Sequence, residues 1–173
     1  MLREAGDIPA AYAVLKRAID EFPESADLNY DIALIAERMN RVDEAEAHLK
    51  KLVELKPDDA QSLNALGYTL VDRTARVSEG YALIEKAHKL SPGDPFIMDS
   101  MGWALFRLGR LDEAEDFLKR ALAERPDAEI AAHLGEVLWA KGDRDGARAL
   151  WKVQLESNPD NAVLKETVER LAH

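Results

Sequence analysis

Residues 98–126, MDSMGWALFRLGRLDEAEDFLKRALAERP, contain the pattern that decides the fold. Gly102 lies among apolar residues at helical spacing, where glycine costs about 1 kcal/mol relative to alanine, so it predicts the close approach of a second helix. Ala114 and Ala121 lie seven residues apart on one helix face, and small side chains there let two antiparallel helices nest. Pro126 cannot continue that helix. The stretch therefore predicts two packed antiparallel helices.

The same pattern recurs along the chain, and prolines mark its period. Successive separations of 34, 35, 34 and 33 residues join Pro23, Pro57, Pro92, Pro126 and Pro159. A regular period of this length indicates helix pairs that stack into a solenoid. With these motifs the sequence resembles the tetratricopeptide repeat (TPR) family over nearly its whole length. The resemblance implies an all-α fold, a right-handed α-solenoid of antiparallel helix pairs that forms the TPR superhelix.

The period divides the chain into one solenoid with a partial repeat, full repeats and a cap. The segments are a partial repeat that supplies a second helix (1–25), full repeats at 26–59, 60–94, 95–128 and 129–161, and a C-terminal capping helix (162–173). The repeat 60–94 has one extra residue near 72–78, so we expect a longer turn between its two helices. Asp94 and Pro95 predict the N-cap and the first position of the next helix.

The N-terminal segment lacks the first helix of its repeat. We therefore expect the chain to be a fragment of a larger TPR adaptor protein, with further repeats upstream. The helix that carries Leu15 and Ile19 should then expose an apolar strip, because the helix that would cover it is missing. Such a strip favours self-association through the open N-terminal end.

Composition limits the classes of partner. The 173 residues carry a formal net charge of −10, which argues against a nucleic-acid partner and against adsorption to anionic membrane surfaces. The sequence contains no cysteine, so neither disulfides nor thiolate chemistry can operate within it. No apolar run approaches the roughly 18 residues that a membrane span needs, and we expect no direct membrane insertion of these residues.

No residue pattern for catalysis stands out. The histidines His48, His88, His133 and His173 lack the spacing of a metal site, and we interpret them as solvated or partly packed side chains. Phosphate-binding glycine loops and nucleophile motifs are also missing from the sequence. We therefore expect no metal, no cofactor and no enzyme activity.

Aromatic residues gather at positions expected to face the groove of the solenoid, which the first helix of each pair lines in TPR-like stacks. The predicted groove residues are Tyr30, Tyr68, Asp72, Phe96, Asp99, Trp103, Phe106, Arg107, Glu136 and Trp139. Aromatic anchors among charged side chains are typical of grooves that bind a peptide, a helix or a protein surface. The sequence therefore predicts a protein or peptide partner in the groove, and the acidic positions favour a partner of basic character.

Two alternatives remain open. Aromatic stripes on helices often form core, as we predict for Trp151, and the groove aromatics would then pack between repeats. In that case the chain is a structural spacer or oligomerisation module of a larger assembly, with no groove ligand. The other alternative is an accessory domain attached to a catalytic region upstream.

A narrower resemblance rests on three segments. NALGYTLVD (64–72), DSMGWALFRLGRLDEAE (99–115) and EIAAHLGEVLWAKGD (129–143) are similar to the C-terminal repeats of Gram-negative outer-membrane TPR lipoproteins that act as adaptors for a processing protease. This resemblance implies a bacterial scaffold in the periplasm, tethered to the outer membrane through a lipid anchor upstream of these residues. Without it, the expected compartment is the cytoplasm.

Overall fold

The computed structural model describes residues 8–172, and regular structure in this range is entirely helical. The helices are α1 (Ile8–Glu21), α2 (Ala26–Arg38), α3 (Val42–Leu55), α4 (Ala60–Arg73), α5 (Val77–Leu90), α6 (Pro95–Arg107), α7 (Leu111–Glu124), α8 (Ala128–Ala140), α9 (Arg144–Ser157) and α10 (Ala162–Leu171). The predicted all-α solenoid of antiparallel helix pairs is confirmed. Predictions that concern residues 1–7 and His173 lie outside the described residues.

One helix of each pair, followed by α10, forms the inner side of the stack. We call α2, α4, α6, α8 and α10 the inner helices, and α3, α5, α7 and α9 the outer helices. Successive inner helices from α4 to α10 pack on one another, whereas no comparable packing joins successive outer helices within residues 8–172. The stack therefore curves with its inner helices on the concave side.

Side-chain caps fix where the inner helices begin. Ser25, Asp59, Asp94, Asp127 and Asn161 each accept a hydrogen bond from a backbone N–H in the first turn of the helix that follows. These bonds satisfy backbone donors that have no partner inside the helix. The predicted N-cap at Asp94 and the proline at the start of α6 are confirmed.

The turns from inner to outer helices are short, and three of them use left-handed backbone. Asn40, Gly109 and Gly142 have φ values of 58°, 78° and 92°, the region in which residues without a bulky side chain are favoured. The turn after α4 differs, because Thr74 is extended and its hydroxyl donates to the carbonyl oxygen of Leu70. The prediction of a longer turn there is wrong, because the extra residue instead lengthens α4 to 14 residues, against 13 in α2, α6 and α8.

Gly102 permits the close approach of α6 and α7. A Cβ atom at this position would lie 2.5 Å from Cγ of Leu118 and 3.2 Å from the carbonyl oxygen of Ala114. Both contacts are closer than ordinary van der Waals distance, so only glycine fits without movement of α7. Gly135 plays the same role for α8 and α9, where the buried indole of Trp151 occupies the space.

The N-terminal end differs in detail from the expected apolar strip. Ile19 is buried and Leu15 is half-buried, whereas Val14 and Phe22 are 49% and 57% exposed. The large exposed apolar side chains at this end are therefore Val14 in α1 and Phe22 directly after it, and Ile19 belongs to the core. In the described range no helix has both the length and the apolarity that crossing a bilayer requires.

Candidate protein-binding face

Each successive pair of inner helices is linked by a side-chain hydrogen bond that has a carboxylate as its acceptor. Glu37 of α2 accepts from Thr69, Asp72 of α4 accepts from the indole Nε1–H of Trp103, and Asp99 of α6 bonds to Nδ1 of His133. At the last junction the guanidinium of Arg170 in α10 donates to Glu136 of α8. The acidic residues predicted to line the groove therefore join neighbouring repeats.

The centre of the inner face is a cluster built on Trp103. This side chain is only 8% exposed; its Nε1 lies 3.1 Å from Oδ1 of Asp72, and its ring stacks on His133 with centroids 4.4 Å apart. Phe106 packs beside it at 5.2 Å between centroids and is half-buried. Trp103 thus has little surface left for a ligand, and its ring fills the junction between repeats.

His133 is buried and paired with a buried carboxylate. Its Nδ1 lies 2.9 Å from Oδ1 of Asp99. Burial lowers the pKa of His133, but the charge and hydrogen bond of Asp99, with further help from Glu136 and Asp72, raise it above the usual value overall. The junction between α6 and α8 therefore contains a titratable ion pair next to the Trp103 ring.

Four carboxylates act electrostatically on Tyr68, and we call them the acidic quartet. The quartet consists of Glu37, Asp72, Asp99 and Glu129 from the four inner helices α2, α4, α6 and α8. Burial, followed by the negative charges of the quartet, raises the pKa of Tyr68 well above its usual value. Burial and the nearby carboxylates of Asp127 and Asp99 also raise the pKa of Glu129, although its side chain still reaches solvent. The inner face is therefore electronegative around Tyr68.

The other predicted groove residues occupy separate places. Tyr30 is 40% exposed on α2, and Leu34, four residues later on the same helix, is 38% exposed. Phe96 is exposed at the start of α6, with the guanidinium of Arg125 4.9 Å from its ring centroid. Arg107 is exposed and donates to the backbone oxygen of Asp72 at 3.5 Å.

Trp139 lies apart from the Trp103 cluster. Its half-buried ring stacks on Trp151 at 5.8 Å between centroids, and the guanidinium groups of Arg144 and Arg148 each lie 5.1 Å from its centroid. These partners belong to α9, an outer helix. Contacts of His133 and Trp103 thus bring together Tyr68, Asp72, Asp99, Trp103 and Phe106. Glu136 acts electrostatically on His133 and accepts from Arg170, whereas the rings of Phe96 and Trp139 pack on residues outside this cluster.

The remaining described histidines pack in the way we interpreted them. His48 bonds to Asn29, and His88 lies edge-on to Phe117 at 5.3 Å between centroids. The pKa values of both are lowered, mainly because burial disfavours the charged ring. Within residues 8–172 no group of three His, Cys, Asp or Glu side chains is arranged to hold a metal ion.

The predicted groove residues left out the partners across the junctions, namely Glu37, Thr69, His133 and Arg170. They also left out Glu129, which acts electrostatically on Tyr68. Their spacing was a usable signal. The bonded pairs are separated by 31 to 34 residues, which is one repeat length or up to one helical turn less, because neighbouring inner helices lie side by side. A search for donors one period from each predicted groove carboxylate would have found His133 and Arg170.

Comparison with known proteins supports the repeat assignment. The family model described as tetratricopeptide repeat matches residues 2–67, 76–132 and 105–171. The chain belongs to the tetratricopeptide repeat family. TPR repeat-containing protein PA4667 of Pseudomonas aeruginosa is 47% identical over 161 residues, which cover 93% of the chain and 27% of that protein. The chain therefore spans about a quarter of the length of this TPR relative.

Solved TPR structures share the fold at low sequence identity. TTC0263, a thermophilic TPR protein of Thermus thermophilus, superposes with a TM-score of 0.82 at 24% identity, covering 96% of this chain and 91% of that one. MamA of Desulfovibrio magneticus RS-1 gives 0.69 at 16% identity, with coverage of 91% and 89%. YrrB, described as a TPR protein with an unusual peptide-binding site, gives 0.62 at 18% identity, with coverage of 94% and 84%.

Proposed function

We propose that this TPR chain is a non-catalytic scaffold that binds a peptide or protein segment on its inner face. The observation that carries the proposal is the exposure of Tyr30 and Leu34, 40% and 38%, on the inner helix α2. The corresponding residues of α6, Asp99 and Trp103, are buried between inner helices. Two neighbouring apolar side chains that remain accessible on α2 offer the anchors that a bound segment needs.

The space next to α2 favours the same proposal. Within the described residues, α2 does not pack on α4 to the extent that α4 packs on α6, although Thr69 and Glu37 bridge the two helices. This end of the inner face is therefore more open than the rest. An extended or helical segment would lie along it, with Tyr30 and Leu34 on one side and Tyr68 on the other. YrrB, a structural neighbour, is described as having a peptide-binding site.

The length of its relative supports a proposal about the wider setting of the scaffold. Because the chain corresponds to about a quarter of PA4667, we propose that it is the repeat module of a larger bacterial adaptor protein. A lipid anchor elsewhere in that protein would tether the module to the outer membrane on the periplasmic side. The exposed Val14 and Phe22 at the N-terminal end would then contact further repeats, or a second copy when those repeats are missing.

A second candidate function is that of a structural spacer. The burial of Trp103, Asp99 and Glu136 favours it, because these predicted ligand contacts are used in junctions between repeats. A spacer needs stiff junctions, and the hydrogen bonds between successive inner helices supply stiffness.

Selection of peptides from a random-sequence library displayed on phage separates the two functions. The double variant Tyr30→Ala/Leu34→Ala should lose binding of the selected peptides by at least about tenfold, since each anchor contributes more than about 1 kcal/mol. Val153→Ala, at an exposed valine on the outer helix α9, is the matched control and should bind normally. If no peptide is selected, or if the double variant binds as well as wild type, the spacer function is favoured.

A further inference from the structure

The inner helix α2 exposes a stripe of side chains along its whole length. Its exposed residues are spaced three, four and four positions apart, which places them on one helix face; they are Asp27, Tyr30, Leu34 and Arg38. The inner helices α4, α6 and α8 expose side chains only in their first and last turns. Within the described residues, the middle of α2 is therefore uncovered where the middles of these three helices are covered.

The two charged ends of this stripe are available to a partner. The side chain of Asp27 is 96% exposed, and its contact with Lys56 is 4.0 Å long, which is the limit for an ion pair. Arg38 is exposed in the last turn of α2 and forms no ion pair with any residue in the range 8–172. At 1.5 Å per residue the two charges lie about 16 Å apart along the helix. A partner that covers the apolar middle of the stripe therefore meets an acidic group at one end and a basic group at the other.

The stripe is complementary to itself when two copies of α2 lie antiparallel. A two-fold axis exchanges the ends of the two helices, so Asp27 of each copy faces Arg38 of the other. By the same symmetry Tyr30 of each copy faces Leu34 of the other, and the contact contains two pairs of opposite charge on either side of four apolar side chains. A parallel copy would instead place like charges next to each other, which is unfavourable. The antiparallel arrangement also sets the helix dipoles in opposite directions.

We propose that the stripe of α2 binds a second copy of this chain in the antiparallel arrangement. The inference does not depend on peptide binding, but it uses the same apolar side chains, Tyr30 and Leu34. Dimer formation and peptide binding therefore exclude each other. A single pair of helices buries less than the roughly 1,000 Å² of a stable interface, so the dimer is weak and a bound peptide can replace the second copy. The dimer thus keeps the peptide anchors covered until a peptide binds.

Sedimentation equilibrium of the full 173-residue chain, at concentrations up to about 1 mM, measures this weak association. Arg38→Glu and Asp27→Arg each convert both charge pairs into like-charge pairs. Each variant should therefore dimerise at least about tenfold more weakly than wild type, because two attractions are lost and two repulsions of similar size are gained. An equimolar mixture of the two variants should regain the wild-type affinity, since every charge in the mixed pair again faces its opposite. Lys152→Glu, at an exposed position on α9, changes the net charge as much as Arg38→Glu does and should dimerise as wild type does. Circular dichroism checks that each variant keeps its helices.

The outcomes separate this contact from other modes of self-association and from peptide binding. A wild-type chain that stays monomeric, or charge variants that associate as wild type does, would overturn the inference. If both variants are monomeric but their mixture is also monomeric, the antiparallel pairing is wrong. A library peptide that loses binding with Tyr30→Ala/Leu34→Ala should dissociate the wild-type dimer, and simultaneous binding of peptide and second copy would contradict the shared surface. If no peptide is selected but the mixed variants associate, the dimer is supported and the proposed peptide binding fails.

Discussion

Replacing Gly102 with alanine sets helix propensity against packing between α6 and α7. Alanine is favoured over glycine inside a helix by about 1 kcal/mol, so the substitution would stabilise an isolated α6. In the stack, however, the new methyl group would lie 2.5 Å from Cγ and 3.0 Å from Cδ2 of Leu118. Leu118 is fully buried and cannot turn away, and the carbonyl oxygen of Ala114 behind it belongs to the backbone of α7.

The packing cost should outweigh the gain in propensity. Inserting a methyl group into a well-packed core costs about 1–3 kcal/mol. The upper part of that range applies here, because the new group meets a branched carbon and a helix backbone rather than the end of a flexible chain. We therefore expect Gly102→Ala to lower the free energy of unfolding by about 1–2 kcal/mol.

Urea denaturation followed by far-ultraviolet circular dichroism measures this loss as a lower midpoint with an unchanged slope. Gly93→Ala is the matched control, because a Cβ atom there would meet nothing within 4 Å, and its effect should stay within about 0.5 kcal/mol. Combining Gly102→Ala with Leu118→Ala should cost less than the sum of the two single changes, since each relieves the other. If Gly102→Ala is as stable as wild type or more stable, α6 and α7 are not in close contact and the reasoning is refuted.

Two further predictions concern the Trp103 cluster. The stabilisation from His133, whose folded-state pKa is raised, is fully present below its unfolded pKa of about 6.5 and is lost as pH rises through the folded value. The difference in unfolding free energy between wild type and His133→Gln should therefore shrink as the pH rises above about 6.5, and a constant difference would contradict the pairing with Asp99. Trp103→Phe keeps an aromatic ring but removes the donor to Asp72, which should cost about 2 kcal/mol in urea denaturation. A double-mutant cycle with Asp72→Ala that gives less than about 0.5 kcal/mol of coupling would show that this bond contributes little.

The sequence predicted those parts of the fold that depend on local chemistry. The prolines defined the repeat, and the glycines in mid-helix predicted close helix contacts such as that of Gly102 with Leu118. The cap at Asp94 was also predictable, because its carboxylate bonds to backbone N–H groups only two and three residues away. Features of this kind need no knowledge of what lies across the interface.

The extra residue in the third repeat shows the limit of that reasoning. An insertion between two helices can lengthen either the turn or one of the helices, and the two outcomes differ little in local energy. Here α4 takes the residue, and the hydroxyl of Thr74 replaces the left-handed turn residue found in the other repeats. The choice depends on how α4 packs on its neighbours, which the sequence pattern does not express.

The sequence predicted several residues of the candidate site but not how these residues are arranged. Asp99 and Trp103 were assigned to the groove because their helix positions face inward, and they do lie on the inner helices. The distance between neighbouring inner helices decides whether an inward side chain meets a ligand or the next repeat. Between α6 and α8 the next repeat is met, because His133 stacks on Trp103. Beside α2 no comparable packing on α4 is present within the described residues, and Tyr30 and Leu34 remain exposed. The groove prediction therefore stays a prediction, with its apolar anchors moved toward α2.

Because of the hydrogen bonds between inner helices, the stability of the stack also depends on the order of the repeats. Each junction contains a carboxylate acceptor, but its hydrogen-bond donor changes from threonine to tryptophan, histidine and arginine along the chain. Exchanging two repeats would therefore leave carboxylates facing the wrong donors, at a cost of about 1–3 kcal/mol for each buried acceptor left unpaired. Idealised arrays with identical units can be cut and rejoined at any boundary. In this chain each repeat boundary has its own donor and acceptor pair. Evolution by exchange of whole repeats would therefore have to change the residues on both sides of a boundary together.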